Sequence, residues 1–187
     1  SIYKQLCIST LHGQSKDALA KTKKGAWRYD VLEPGYKANM TDIQASLGLV
    51  ELRRYNDDTL MRRKAIFEQY AIALGSFDWA EIPTYKTKRI ESSYHLFALR
   101  IKGVTEEQRD QIIDEIFARD VSVNVHFQPL PLLSFYKNEG YDIKDYPVTY
   151  DNYSREISLP VYYDLTDDNV ATVVKAVIES VEKVLHG

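Results

Sequence analysis

The sequence predicts an α+β fold in which helices pack on a short sheet and a long helix leads into that layer. Three observations point there. Two threonine-led capping boxes, Thr41-Asp42-Ile43-Gln44 and Thr105-Glu106-Glu107-Gln108, each start a helix. Apolar runs over residues 94–101 and 121–127 are short enough for strands. Val170, Val173, Val174, Val177, Ile178, Val181 and Leu185 recur at helical spacing and give a closing helix one broad apolar face.

Taken in order, residues 1–10 read as the end of a helix stopped near His12-Gly13. Gln14 to Gly35 is irregular, punctuated by Pro34-Gly35. In the helix that Thr41 caps, Ile43, Leu47 and Val50 share one face. No proline follows until Pro83, so this helix is expected to reach the neighbourhood of Gly75, with a bend near Asn56-Asp57-Asp58. Arg53-Arg54 and Arg62-Arg63-Lys64 are interleaved with Asp57, Asp58 and Glu68 and read as a solvated helix face. The helix begun at Thr105 carries Ile112, Ile113, Ile116 and Phe117 and ends at Asp120. Residues 121–127 alternate with period two, and the apolar phase of Val121, Val123, Val125 and Phe127 turns His126 to the opposite face. A proline- and tyrosine-rich irregular segment precedes the last helix, which opens at Thr166 with Asp167 and Asp168 favourably placed in its first turn. Residues 1–75 and 76–187 are the expected divisions.

Composition narrows the function classes. With 187 residues, 44% apolar and 27% charged, the chain can build a core and is no disordered or collagen-like segment. A net charge of −3 gives no basic bias towards nucleic acid. No run approaches the roughly 20 apolar residues of a spanning helix. The amino terminus lacks a signal-peptide layout, and a single cysteine, Cys7, forms neither an internal disulfide nor a multi-cysteine zinc site. A cytoplasmic protein without membrane contact is expected. His12, His95, His126 and His186 are too scattered for a metal site by spacing, so none is expected. Fourteen tyrosines beside six phenylalanines suit interfaces and polar pockets. Ser134-Phe135-Tyr136-Lys137 and Ser1-Ile2-Tyr3-Lys4 both fit a Ser-x-x-Lys pattern, but its companion motifs are absent. Asn39-Met40-Thr41 and Asn152-Tyr153-Ser154 fit a glycosylation pattern that an unsecreted chain would not use.

One composite pattern is specific. Residues 35–49, Gly-Tyr-Lys-Ala-Asn-Met-Thr-Asp-Ile-Gln-Ala-Ser-Leu-Gly-Leu, resemble the Gly-Tyr-Lys-Tyr-Asn-Met/Leu-Thr-Asp-Ile-x-Ala-Ala block of the DegT/DnrJ/StrS sugar aminotransferases. His12-Gly13, Arg62-Arg63 with Tyr70, His95-Leu96-Phe97, Val125-His126-Phe127 and Ser158-Leu159-Pro160 resemble further family motifs in the same order. The branch that makes 4-amino-4-deoxy-arabinose on a UDP-sugar is the most similar. The resemblance implies a fold-type-I scaffold that uses pyridoxal 5′-phosphate (PLP) and moves an amino group from L-glutamate to a keto-sugar nucleotide. It also implies a homodimer whose sites draw on both subunits. Residues 1–75 then correspond to the tail of the large PLP-binding domain plus a connecting helix, and residues 76–187 to the small carboxy-terminal domain.

The family's Schiff-base lysine segment and the glycine run after it have no counterpart here; the chain aligns with the second half of family members. Transamination needs that lysine to hold the cofactor and move a proton, so no catalytic residue is expected in this chain and it should be inactive alone. By resemblance, Asn39 reaches the cofactor phosphate of the neighbouring subunit, where a helix start favours an anion, and Lys37 adds charge beside it or is a solvated loop lysine. Asn39 is equally suited to shaping the turn before Thr41. His126 is implied near cofactor and sugar, a satisfied structural histidine being its alternative, and Tyr36, Trp27 and Tyr29 along a nucleotide-sugar groove, an interface being the alternative for these aromatics. Pro131 stands where the family often has a second histidine. The alternative to an enzyme part is a non-catalytic relative that keeps the dimerising half.

Overall fold

In the computed structural model, which describes residues 1–14, 31–38 and 40–186, both capping boxes form. Gln44 N–H donates to Thr41 Oγ1 at 3.3 Å while Thr41 N–H donates to Gln44 Oε1 at 3.1 Å. Gln108 N–H donates to Thr105 Oγ1 at 3.3 Å and Thr105 N–H to Gln108 Oε1 at 3.0 Å. Each box satisfies two donors that a helix start would otherwise leave open. The first opens α2 (Asp42–Arg54), which follows α1 (Ile2–Ser9). The chain divides into two units, Ser1–Arg53 and Arg54–Gly187.

In the first unit, Ile43, Leu47 and Val50 lie exposed along α2. In the second, the backbone is π-helical over Tyr55–Thr59, where the sequence suggests a bend, before α3 (Leu60–Leu74) resumes. A π-turn is rare. Within it the Asp58 carboxylate meets the Arg54 guanidinium at 2.7 Å and accepts from Tyr163 Oη at 2.7 Å. The Arg54 guanidinium also lies 4.5 Å from the Tyr163 ring centre.

The sheet is antiparallel with order β1-β2-β3, comprising β1 (Ala80–Glu81), β2 (Phe97–Ile101) and β3 (Glu156–Leu159). Phe97, Leu99 and Ile101 point into the core, where Phe97 meets Phe67 and Tyr70 of α3 at ring-centre distances of 5.0 and 5.1 Å. α4 (Glu106–Phe117) and α7 (Asp167–His186) pack together, and α7 also packs on α3. Val170, Val173, Val177 and Val181 are buried, as their stripe predicts. Ile66, Phe67, Tyr70 and Leu74 belong to this core, within the unit that begins at Arg54. Short helices α5 (Ser134–Asn138) and α6 (Pro147–Ser154) interrupt the proline-tyrosine segment. No helix among the described residues is long and apolar enough to cross a membrane.

Three expectations fail. The strand over residues 94–101 begins only at Phe97, because Tyr94 takes a left-handed φ of 53° that no strand can continue. Residues 121–127 form no strand and meet β3 through one bridge, Asn124 to Ser158. Phe127, assigned to the buried phase, is exposed. The Arg62-Arg63-Lys64 cluster is no solvated face. Arg62 pairs with Asp167 at 2.8 Å and donates to the Leu165 carbonyl, Arg63 donates to the Val161 carbonyl at 3.3 Å, and Lys64 meets Glu91 at 3.2 Å. Basic side chains here close loops onto α3.

Candidate functional site

Two groups of sequence-predicted residues are described, one in each unit. In the first unit, Gly13 and Gly35 let two stretches of backbone touch. Gly13 has a φ of +72°, and a Cβ there would run into the Glu33 carbonyl; one on Gly35 would run into the Gly13 amide. Around that contact, His12 N–H donates to the Tyr36 carbonyl at 3.0 Å, Tyr36 N–H to Ser9 O at 2.7 Å and Ala38 N–H to Thr10 O at 3.0 Å. The Glu33 carboxylate fastens the same turn to α1, accepting from Gln5 and from Ser9 Oγ at 2.6 Å. Tyr36 and Lys37 are thus carried on a pinned, exposed segment that runs towards the start of α2. Asn39, Trp27 and Tyr29 lie outside the described residues.

His126 belongs to the second unit. It is half-buried beside a cavity of about 340 Å³ lined by Ala98, Arg100, Phe127, Asn152 and Glu156. Its ring meets Phe127 edge-on at 4.7 Å, and its buried Nδ1 has no hydrogen-bond partner among the described residues. Such a nitrogen can donate to or accept from a ligand according to tautomer. Its backbone N–H donates to Glu156 Oε2 at 3.0 Å, while Ser158 Oγ donates to Glu156 Oε1. Burial pushes the Glu156 carboxyl above the ordinary glutamate value, against the opposing pull of those hydrogen bonds and the neighbouring positive charges.

The polar wall of this cavity follows from strand register. Glu81, Arg100 and Glu156 stand in one row across β1, β2 and β3. Arg100 pairs with Glu81 and donates to Asn152 Oδ1, so Glu156 is left to Ser158 and His126. Behind it, the buried Arg109 guanidinium donates to the carbonyls of Tyr153 at 2.6 Å and Glu156 at 3.0 Å, joining α4, α6 and β3. Sequence reasoning missed Glu156, Arg100, Asn152 and Arg109. A signal was present: the ionisable pair Arg155-Glu156 directly precedes the apolar-leaning Ile157-Ser158-Leu159.

For a phosphorylated cofactor, the described residues fit only one end. Of the residues expected at its phosphate only Lys37 is described, exposed ahead of the start of α2. Among the described residues, no group of three or more His, Cys, Asp or Glu is arranged to hold a metal.

Comparison with known proteins gives the family. The model of the DegT/DnrJ/EryC1/StrS aminotransferase family matches residues 2–178. MJ1066 of Methanocaldococcus jannaschii, an uncharacterised protein, is 38% identical over 94% of this chain and 46% of its own length. The spore coat polysaccharide biosynthesis protein SpsC of Bacillus subtilis is 34% identical over the same shares. Among solved structures, Spr1654 of Streptococcus pneumoniae, assigned as a sugar aminotransferase, superposes in its PMP form with a TM-score of 0.87 and 44% identity. That match takes in 98% of this chain and 45% of Spr1654. The chain therefore spans about half the length of the relatives it matches.

Proposed function

Because the chain belongs to the DegT/DnrJ/EryC1/StrS aminotransferase family, we propose that it is the carboxy-terminal part of a PLP-dependent nucleotide-sugar aminotransferase. The observation that carries this reading is the likeness to Spr1654, solved in PMP and PLP forms, over nearly the whole of this chain. SpsC, named for spore coat polysaccharide biosynthesis, supports a sugar-building role. The relatives reported above do not single out the arabinose branch, so the acceptor is proposed only as a keto-sugar nucleotide and the donor as L-glutamate.

In this reading, residues 1–75 are the tail of the large domain with its connecting helix, and residues 76–187 make up the small domain. Asn39 and Lys37 face the cofactor phosphate. Tyr36, Trp27 and His126 contact the sugar nucleotide, the His126 Nδ1 providing the hydrogen bond that the described residues leave open. PLP, when bound, supplies the electron sink for amino transfer. This chain's own contribution is to bind and orient: a cation for the phosphate, an imidazole and an aromatic for the sugar nucleotide. The working form is a cytoplasmic homodimer, and residues 1–187 alone do not turn over.

The test is an amination assay with L-glutamate and keto-sugar nucleotides, reading 2-oxoglutarate. The complete protein that carries this chain should form it and residues 1–187 alone should not. Should the complete protein leave every keto-sugar nucleotide unaminated, the reading is lost.

A further inference from the structure

We propose that Glu156 is a positioning residue, whose side chain holds the backbone of His126 and thereby sets the imidazole in its cavity. This deepens the reading of His126 as a substrate-binding residue and rests on it. Residues 121–127 and β3 share one bridge. Asn124 N–H donates to Ser158 O at 3.2 Å and Ser158 N–H to Asn124 O at 2.7 Å, a hydrogen-bonded antiparallel pair. Two residues further along each strand, a continued ladder would pair His126 with Glu156, backbone to backbone. That rung is replaced. The Glu156 carbonyl accepts instead from the buried Arg109 guanidinium at 3.0 Å, and the His126 N–H goes to the Glu156 side chain at 3.0 Å.

A side-chain carboxylate stands further from the strand axis than a carbonyl does. The chain therefore leaves the sheet edge at His126, and the cavity of about 340 Å³ lies beside that departure. The carboxylate is itself held in place: Ser158 Oγ occupies Oε1, Oε2 is left for the amide, and Arg100, opposite in register, is engaged by Glu81 and Asn152. Glu156 is buried, so it serves as a fixed post.

The proposal is tested on the protein that carries this chain, by the rate at which diethyl pyrocarbonate modifies each histidine and by hydrogen exchange at the His126 amide. Glu156→Ala should speed both at His126 by about tenfold, the size of a lost charge-assisted hydrogen bond. His95 and His186, both exposed, should keep their wild-type rates. Glu156→Gln retains an acceptor oxygen and should restore wild-type behaviour, which a role in fold stability alone does not require. If Glu156→Ala does not fold, Ser158→Ala frees the carboxylate without removing it and should give a smaller rise confined to His126. Unchanged rates at His126, or an equal rise at every histidine, would overturn the proposal. The underlying reading has its own arm: His126→Ala should raise KM for the sugar nucleotide with kcat little altered. An unchanged KM there defeats the substrate role of His126 while the exchange data still judge Glu156.

Discussion

Glu156 also makes a prediction about stability, because its carboxyl is raised by burial and the raising outweighs the bonds that lower it. A carboxyl whose folded value lies above its unfolded one holds its proton more tightly in the native state. Its contribution is therefore fully present below the ordinary value of 4.5 and is lost as pH rises through the folded value. Glu156→Gln removes that loss. The variant should melt above wild type at about pH 8, with the gap closing towards about pH 4; parallel melting curves would contradict this. Gly35 is the second residue whose role follows from geometry, since any side chain there meets the backbone of His12 and Gly13. Gly35→Ala should destabilise the first unit by about 2 kcal/mol or more, seen as faster proteolysis near residues 33–38. At this scale the sequence was partly legible. His12-Gly13 and Gly35 stood out by resemblance and are indeed apposed, whereas Glu156 and Arg109 went unnoticed because their importance comes from strand register and burial, which no local pattern encodes.

Elements whose physics is local were the readable ones. A capping box needs only four consecutive residues, and both threonine boxes form with the expected reciprocal bonds. The α7 stripe needs only helical spacing and a core to face. Val177→Ala should accordingly cost about 2 kcal/mol in chemical denaturation, since Val177 is fully buried, while the exposed Ile72→Ser should stay within about 0.5 kcal/mol. Equal effects would mean that α3 and α7 are packed differently. Residues 121–127 misled because alternation reports which face is buried, not whether a neighbouring backbone completes the ladder. Side-chain burial does alternate as far as Val125; at His126 the backbone N–H goes to the Glu156 carboxylate and not to a strand carbonyl. β3 was missed because Glu156-Ile157-Ser158-Leu159 alternates over only four residues, and nothing in so short a run says that polar Glu156 and Ser158 are buried along with their apolar neighbours.

For the molecule as a whole, the predicted α+β class and the family both hold, with α3, α4 and α7 beside a three-stranded sheet of which sequence reasoning had located only β2. The candidate residues fall in separate units, Tyr36 and Lys37 in one and His126 in the other. The family was legible here through motif order, over a chain that spans about half the length of the relatives it matches. The central claim is that this chain binds and orients while the reactive lysine lies outside residues 1–187. It is tested most directly by incubating those residues with PLP, reducing with borohydride and mapping the pyridoxyl-lysines. The account predicts scattered, substoichiometric labelling with no amination of a keto-sugar nucleotide. One lysine labelled to completion, together with glutamate-dependent amination by the chain alone, would contradict it.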